Sequence, residues 1–252
     1  MVTTTAWAPT EEPTMSRTST DPAPPVLLAC SHGTSSPAGQ RAIAALVDAV
    51  AAGRPEIPVS SAFVDVQEPD VPTILDELGE TEVRVVPLLI SAGYHVHVDL
   101  AEAVDGRAGA HVTGALGPDP RLIALLTRRL HEAGLHAGDA VVLAAAGSSN
   151  AGAVADCRQV GEELAAALGR PVTTAFLSAA QPRLPDAVAE ARGRLTAPGA
   201  RVAVATYLLA PGYFADLAAR SGAELVTPPL LTDDEPPATE LVEIVLDRYQ
   251  ER

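Results

Sequence analysis

All six histidines of this 252-residue chain, His32, His95, His97, His111, His131 and His136, precede residue 137. Two stand where chemistry is possible. His32 follows the apolar run VLLAC at 26–30 with only Ser31 between them, and His95 follows VRVVPLLI at 83–90. If those runs are parallel strands, both imidazoles project over the carboxyl edge of the sheet, where open α/β sheets take their ligands. A pair of imidazoles there can hold a divalent metal or move protons near neutral pH. His97 makes an H-x-H with His95 and is the third candidate metal ligand, unless a helical or extended backbone turns its ring elsewhere. His111, His131 and His136 fall in a weak strand, at a helix end and in a loop, and are expected to face solvent.

Other chemistries are excluded by what the chain lacks. All 17 basic residues are Arg, so Schiff-base chemistry, pyridoxal phosphate attachment and a P-loop lysine are impossible. No G-x-S-x-G elbow occurs, and Gly147-Ser148-Ser149-Asn150-Ala151-Gly152 satisfies neither the P-loop nor the dinucleotide pattern. Only Cys30 and Cys157 are present, too few for a disulfide framework, which points to a reducing, cytoplasmic setting. Cys30 lies within a strand and is expected to be buried rather than nucleophilic. A net charge of −15 argues against nucleic acid and anionic membrane as partners. Residues 1–25, rich in Thr, Pro and Glu, have no apolar signal core and read as a disordered, dispensable tail. No run approaches the roughly 18 apolar residues of a membrane helix.

The elements that must position the histidines alternate. Strands are expected at 26–30, 59–66, 83–90 and, weakly, 110–113. Helices are expected after Pro37, where Ala42, Ile43, Leu46, Val47 and Val50 recur at helical spacing, and at 72–78, 98–104 and 121–133, with Gly53 and Gly79 as stops. A loop opens at Ser91 and includes His95. Alternating β and α units imply a parallel sheet covered on both faces.

The second half repeats the first. LLACSHGT at 27–34 sets against VVLAAAGS at 141–148, an offset of 114; Ala62-Phe63 against Ala175-Phe176, at 113; and LISAGY at 89–94 against LLAPGY at 208–213, at 119. Residues 26–137 and 138–252 are therefore read as duplicated α/β domains joined through His136–Asp139. Where the first copy has His32 and His95, the second has Ala146 and Phe214, so the chemistry belongs to the first copy.

LLACSHGTSS and VPLLISAGYHVHVDL, taken together, resemble the sirohydrochlorin chelatase family, the class II metal chelatases of siroheme and cobalamin synthesis. The resemblance spans about residues 26–230. It implies a fold of two duplicated chelatase-like domains with one active centre at the cleft between them. It places the metal-holding histidines at His32 and His95 and an acidic motif position at Asp99, which otherwise reads as a carboxylate stabilising a helix N-terminus. The implied activity is a lyase reaction, insertion of Fe2+ into sirohydrochlorin to form siroheme, or alternatively of Co2+ for cobalamin. The metal is then a substrate and no permanent cofactor is expected. Neutral imidazole suits both roles, holding a borderline metal loosely and accepting pyrrole protons, where thiolate would bind too firmly. Amides of Gly33, Thr34 and Ser35, with local arginines such as Arg41, are the candidates for the tetrapyrrole's carboxylates. Two further readings compete: a histidine phosphatase, which requires Arg where this chain has Ser31, and a non-catalytic metal or tetrapyrrole carrier.

Overall fold

The structure is a computed structural model describing residues 23–91 and 94–251, the side chains of residues 94–97 and 99 excepted. The segment read as a tail lies, up to residue 22, outside the described residues.

The first half runs β1 (Val26–Ser31), α1 (Pro37–Gly53), β2 (Val59–Phe63), α2 (Val71–Leu78), β3 (Val83–Pro87), α3 (Tyr94–Val104), β4 (Ala110–Val112) and α4 (Pro120–Glu132). The second runs β5 (Ala140–Ala145), α5 (Ala151–Leu168), β6 (Val172–Phe176), α6 (Leu184–Gly193), β7 (Val202–Tyr207), α7 (Tyr213–Ala219), β8 (Leu225–Val226) and α8 (Thr239–Gln250). Each half contributes one four-stranded sheet, ordered β2-β1-β3-β4 and β6-β5-β7-β8, with every pairing parallel. The fold is thus the expected α/β pair of flanked parallel sheets. In this order the chain reverses direction between β1 and β3, and again between β5 and β7. The loops leaving those strands diverge there and open a crevice at the carboxyl edge.

Three boundaries differ from expectation, each for a local reason. β3 ends at Pro87, which lacks the N–H needed to continue the ladder; Leu88 makes one more bond, its N–H donating to the Cys30 carbonyl at 2.7 Å. β2 ends at Phe63, after which Val64 and Asp65 donate to the Ser31 and His32 carbonyls at 2.9 and 3.0 Å and Val66 turns to φ 65°. α3 begins at Tyr94 rather than near residue 98, so His95 and His97 lie in its opening turns and not in a preceding loop.

Strand alternation sorts the core. Leu27 and Ala29 of β1 and Val141, Leu143 and Ala145 of β5 face a single apolar layer shared by both halves. Their neighbours Leu28 and Cys30 face α2 and α3, and Val142 and Ala144 face α6. The helices closing the shared layer cross between the halves. α4, encoded with the first sheet, packs on α5 and β7; α8, encoded with the second, packs on α1, α4 and β3. Leu241, Ile244, Val245 and Tyr249 of α8 are buried in that layer. Polar contacts fix the crossing: Arg84 donates to the Tyr249 carbonyl at 2.5 Å, Arg248 to the Ala115 carbonyl at 2.7 Å, and the Tyr249 hydroxyl to the Pro25 carbonyl at 2.7 Å.

Candidate active site

His32 sits one residue beyond β1, exposed, on a backbone held by the loop after β2. Its carbonyl accepts the Asp65 N–H at 3.0 Å. Gly33 follows at φ 90°, and a Cβ there would lie 1.9 Å from the Asp65 carbonyl oxygen, so only glycine permits this approach. The second half builds the same turn with different cargo. Gly147 has φ 91°, its Cβ would lie 2.0 Å from the Ser178 carbonyl oxygen, and the Ala146 carbonyl accepts the Ser178 N–H at 2.8 Å. One backbone, used twice, carries an imidazole in the first copy and a methyl group in the second.

The loop from His32 to Ser35 borders a cleft of about 450 Å³ between the two halves. His32, Gly33, Thr34 and Ser35 all line it, together with Val66 and Gln67 from the loop after β2 and Ser91 after β3. The opposite wall comes from the second half: Ala145 and Ala146, Cys157 of α5, Tyr207, and the segment from Leu208 to Ala215. Among the described lining residues none is Asp, Glu, Lys or Arg.

The loop amides are partly occupied. The Thr34 N–H donates to Gln67 Oε1 at 3.0 Å and the Ser36 N–H to Thr34 Oγ1 at 3.1 Å. Ser36 also caps α1, accepting from the Gly39 N–H. Arg41 does not line the cleft; it lies on α1 in an ion pair with Asp233. His111, His131 and His136 are exposed, as expected, and away from the cleft. The side chains of His95, His97 and Asp99 lie outside the described residues. The backbone of α3 places residues 95 and 97 in its first turns, about 200° apart around the helix axis, so they occupy opposite faces of it.

Neither cysteine offers a thiolate near neutral pH. Cys30 is fully buried, which pushes its thiol up to about 12. Burial also pushes Cys157 up to about 11, reinforced by Asp156 and opposed by a hydrogen bond with Ser91. Tyr207, buried beside it, is likewise raised by burial. The cleft floor is therefore neutral, and His32 is the one imidazole among the described lining residues.

Gln67, Val66, Cys157, Tyr207 and Tyr213 are lining residues that sequence reasoning did not single out. The repeat carries the signal for one of them: LLAPGY aligns with LISAGY, which brings Tyr213 and Phe214 to the positions of Tyr94 and His95.

The duplicated crossover sheets and the histidine at the first crossover define a class, and comparison with known proteins agrees with it. The CbiX family matches residues 26–133 and 140–219, and the chain belongs to this family of sirohydrochlorin chelatases. No individual curated protein sequence matches it. Among solved structures, SirB from Bacillus subtilis with Fe3+ superposes at a TM-score of 0.74 and 20% identity, over 90% of this chain and 94% of that one. The sirohydrochlorin chelatase SirB from Bacillus subtilis subspecies spizizenii, in complex with cobalt, superposes at 0.67 and 17% identity, with the same coverage. A multi-domain Deinococcus radiodurans protein with structural similarity to chelatases superposes at 0.65 and 20% identity, over 91% of this chain and 55% of that one.

Proposed function

We propose that the protein is a cytoplasmic sirohydrochlorin chelatase that inserts Fe2+ to form siroheme, with Co2+ insertion for cobalamin synthesis as the alternative. The observation that carries this reading is the cleft at the crossover edges of both sheets, with His32 at its border, in a chain of the CbiX family. Insertion replaces two pyrrole N–H protons by one divalent metal and releases both protons. His32 and His95 hold the incoming metal and receive those protons as it passes to the ring; His97, the third candidate ligand, starts on the opposite face of α3 from residue 95 and has the smaller part. Neutral imidazole binds Fe2+ and Co2+ alike, so this chemistry leaves both metals open.

The second half supplies shape. At the positions of the two motif histidines it presents Ala146 and Phe214, which close the cleft with apolar surface. A histidine phosphatase would need a cationic group for the phosphoryl oxygens. Ser31 stands where its arginine belongs, and no described lining residue is charged. A carrier without turnover differs from a chelatase only in rate.

One assay separates these readings. Sirohydrochlorin is incubated with the protein and Fe2+ or Co2+, and the tetrapyrrole absorption spectrum is followed. The expected result is insertion above the uncatalysed rate with repeated turnover, faster with Fe2+. Binding without turnover would establish a carrier, and faster turnover with Co2+ would assign the cobalamin branch.

A further inference from the structure

Among the described residues, two large apolar side chains stand far out of the protein: Val66, 58% exposed, and Tyr213, 72% exposed. Both line the same cleft. They approach it from different halves, on either side of the His32–Ser35 loop. Gly33 of that loop lies against the backbone of Asp65 and Gln67, next to Val66, and a Cβ on Gly212, next to Tyr213, would be 3.5 Å from Thr34 Oγ1.

Val66 is doubly disfavoured. The Gln67 N–H donates to the Asp65 carbonyl at 2.7 Å, closing a γ-turn around Val66 at φ 65°, a conformation that is strained for any side chain and most of all for a β-branched one. The same turn recurs in the second half, where the Ala180 N–H donates to the Ser178 carbonyl at 2.5 Å and Ala179 has φ 52°. The fold therefore dictates the turn, and glycine would relieve it at either place. Only the first-half turn reaches the cleft, and it carries valine. Tyr213 packs edge-on against Phe214, ring centroids 5.5 Å apart, which fixes the direction in which the exposed ring points.

Resting on the chelatase reading above, we propose that Val66 and Tyr213 are the residues that grip the macrocycle, by apolar contact with the ring, while the tetrapyrrole's carboxylates remain in solvent. The cleft favours this division. Desolvating a carboxylate against a lining without a described charged side chain is costly, whereas the ring itself carries no such penalty. Valine and tyrosine give up stability or solubility at the cleft mouth and regain it as buried apolar surface when the ring enters.

The test is a titration of the full chain with metal-free sirohydrochlorin, read by the tetrapyrrole absorption or fluorescence change, on Val66→Gly, Tyr213→Ala, Tyr213→Phe and Ala179→Gly. Val66→Gly should raise Kd roughly tenfold and Tyr213→Ala at least as much. Tyr213→Phe should bind close to the unmodified protein. Val66→Gly should melt no lower than the unmodified protein, because glycine accepts the turn; Ala179→Gly should do the same without changing Kd. Unchanged affinity in both Val66→Gly and Tyr213→Ala would overturn the proposal, as would a loss in Val66→Gly accompanied by a lower melting temperature. Failure of the chelatase reading looks different. If the variants weaken binding but no metal is inserted by any form, the grip stands and the reading falls. If metal is inserted and the variants bind normally, the grip falls and the reading stands. A protein that binds no sirohydrochlorin overturns both.

Discussion

Replacing His32 by alanine is expected to lower the rate of metal insertion by roughly 10²–10⁴-fold, the range contributed by one positioned acid or base. The described lining contains no second base to substitute: Cys157 holds its proton at neutral pH because burial pushes the thiol up to about 11, and Ala146 stands at the repeat position. The side chain of His32 is exposed and contributes little packing, so circular dichroism and the melting temperature should not change. His95→Ala is expected to lose a comparable factor and His97→Ala less, since residues two apart on α3 occupy opposite faces of the helix. The insertion rates of the three variants check this. An inactive His97→Ala beside a near-normal His95→Ala would reassign the second ligand, and a fully active His32→Ala would remove the chelatase reading.

The largest expected effect on stability lies far from the cleft. Deleting residues 239–252 removes α8, and with it Leu241, Ile244 and Val245, each 0% exposed, and Tyr249 at 5%. The surfaces left bare belong to α1, α4 and β3, so the damage falls on the half that carries His32 rather than on the half that encodes the helix. The truncated chain should lose its cooperative thermal transition. The milder Ile244→Ala should cost about 2–5 kcal/mol, the range for large-to-small changes at packed sites. Because both sheets face one apolar layer, urea unfolding of Ile244→Ala should remain a single transition with a lowered midpoint. Two separated transitions, with the second half melting first, would show that α8 does not bind the halves together.

The parts legible in the sequence were those written in contiguous residues. VLLAC and VRVVP read as buried strands because nothing polar interrupts them apart from Arg84, which reaches out to the α8 terminus. Pro72 and Gly79 mark the ends of α2 as expected, one in its first turn and the other as its C-cap, while the N-cap, Asp70, was not read from the sequence. The repeat exposed the asymmetry between His32 and Ala146 with no structure at all. The crossing of α4 and α8 was not legible, because an apolar stripe shows that a helix has a buried face but not which sheet covers it. The far wall of the cleft was hidden for a related reason: Cys157 and Tyr207 are separated from His32 by more than a hundred residues and meet it only through the packing of α5 and β7. The strand ends at Phe63 and Pro87 were overrun because an apolar residue in a buried loop, such as Leu88, has the same sequence signature as one in a strand.

Whether the metal is handled in the first half of the cleft is tested most directly by the position of Co2+ located by anomalous scattering in crystals of the full chain. The expected peak lies within the cleft, bonded to an imidazole nitrogen of His32. A peak on the second-half wall near Ala146, or peaks only at the exposed His111, His131 or His136 with none in the cleft, would contradict this placement.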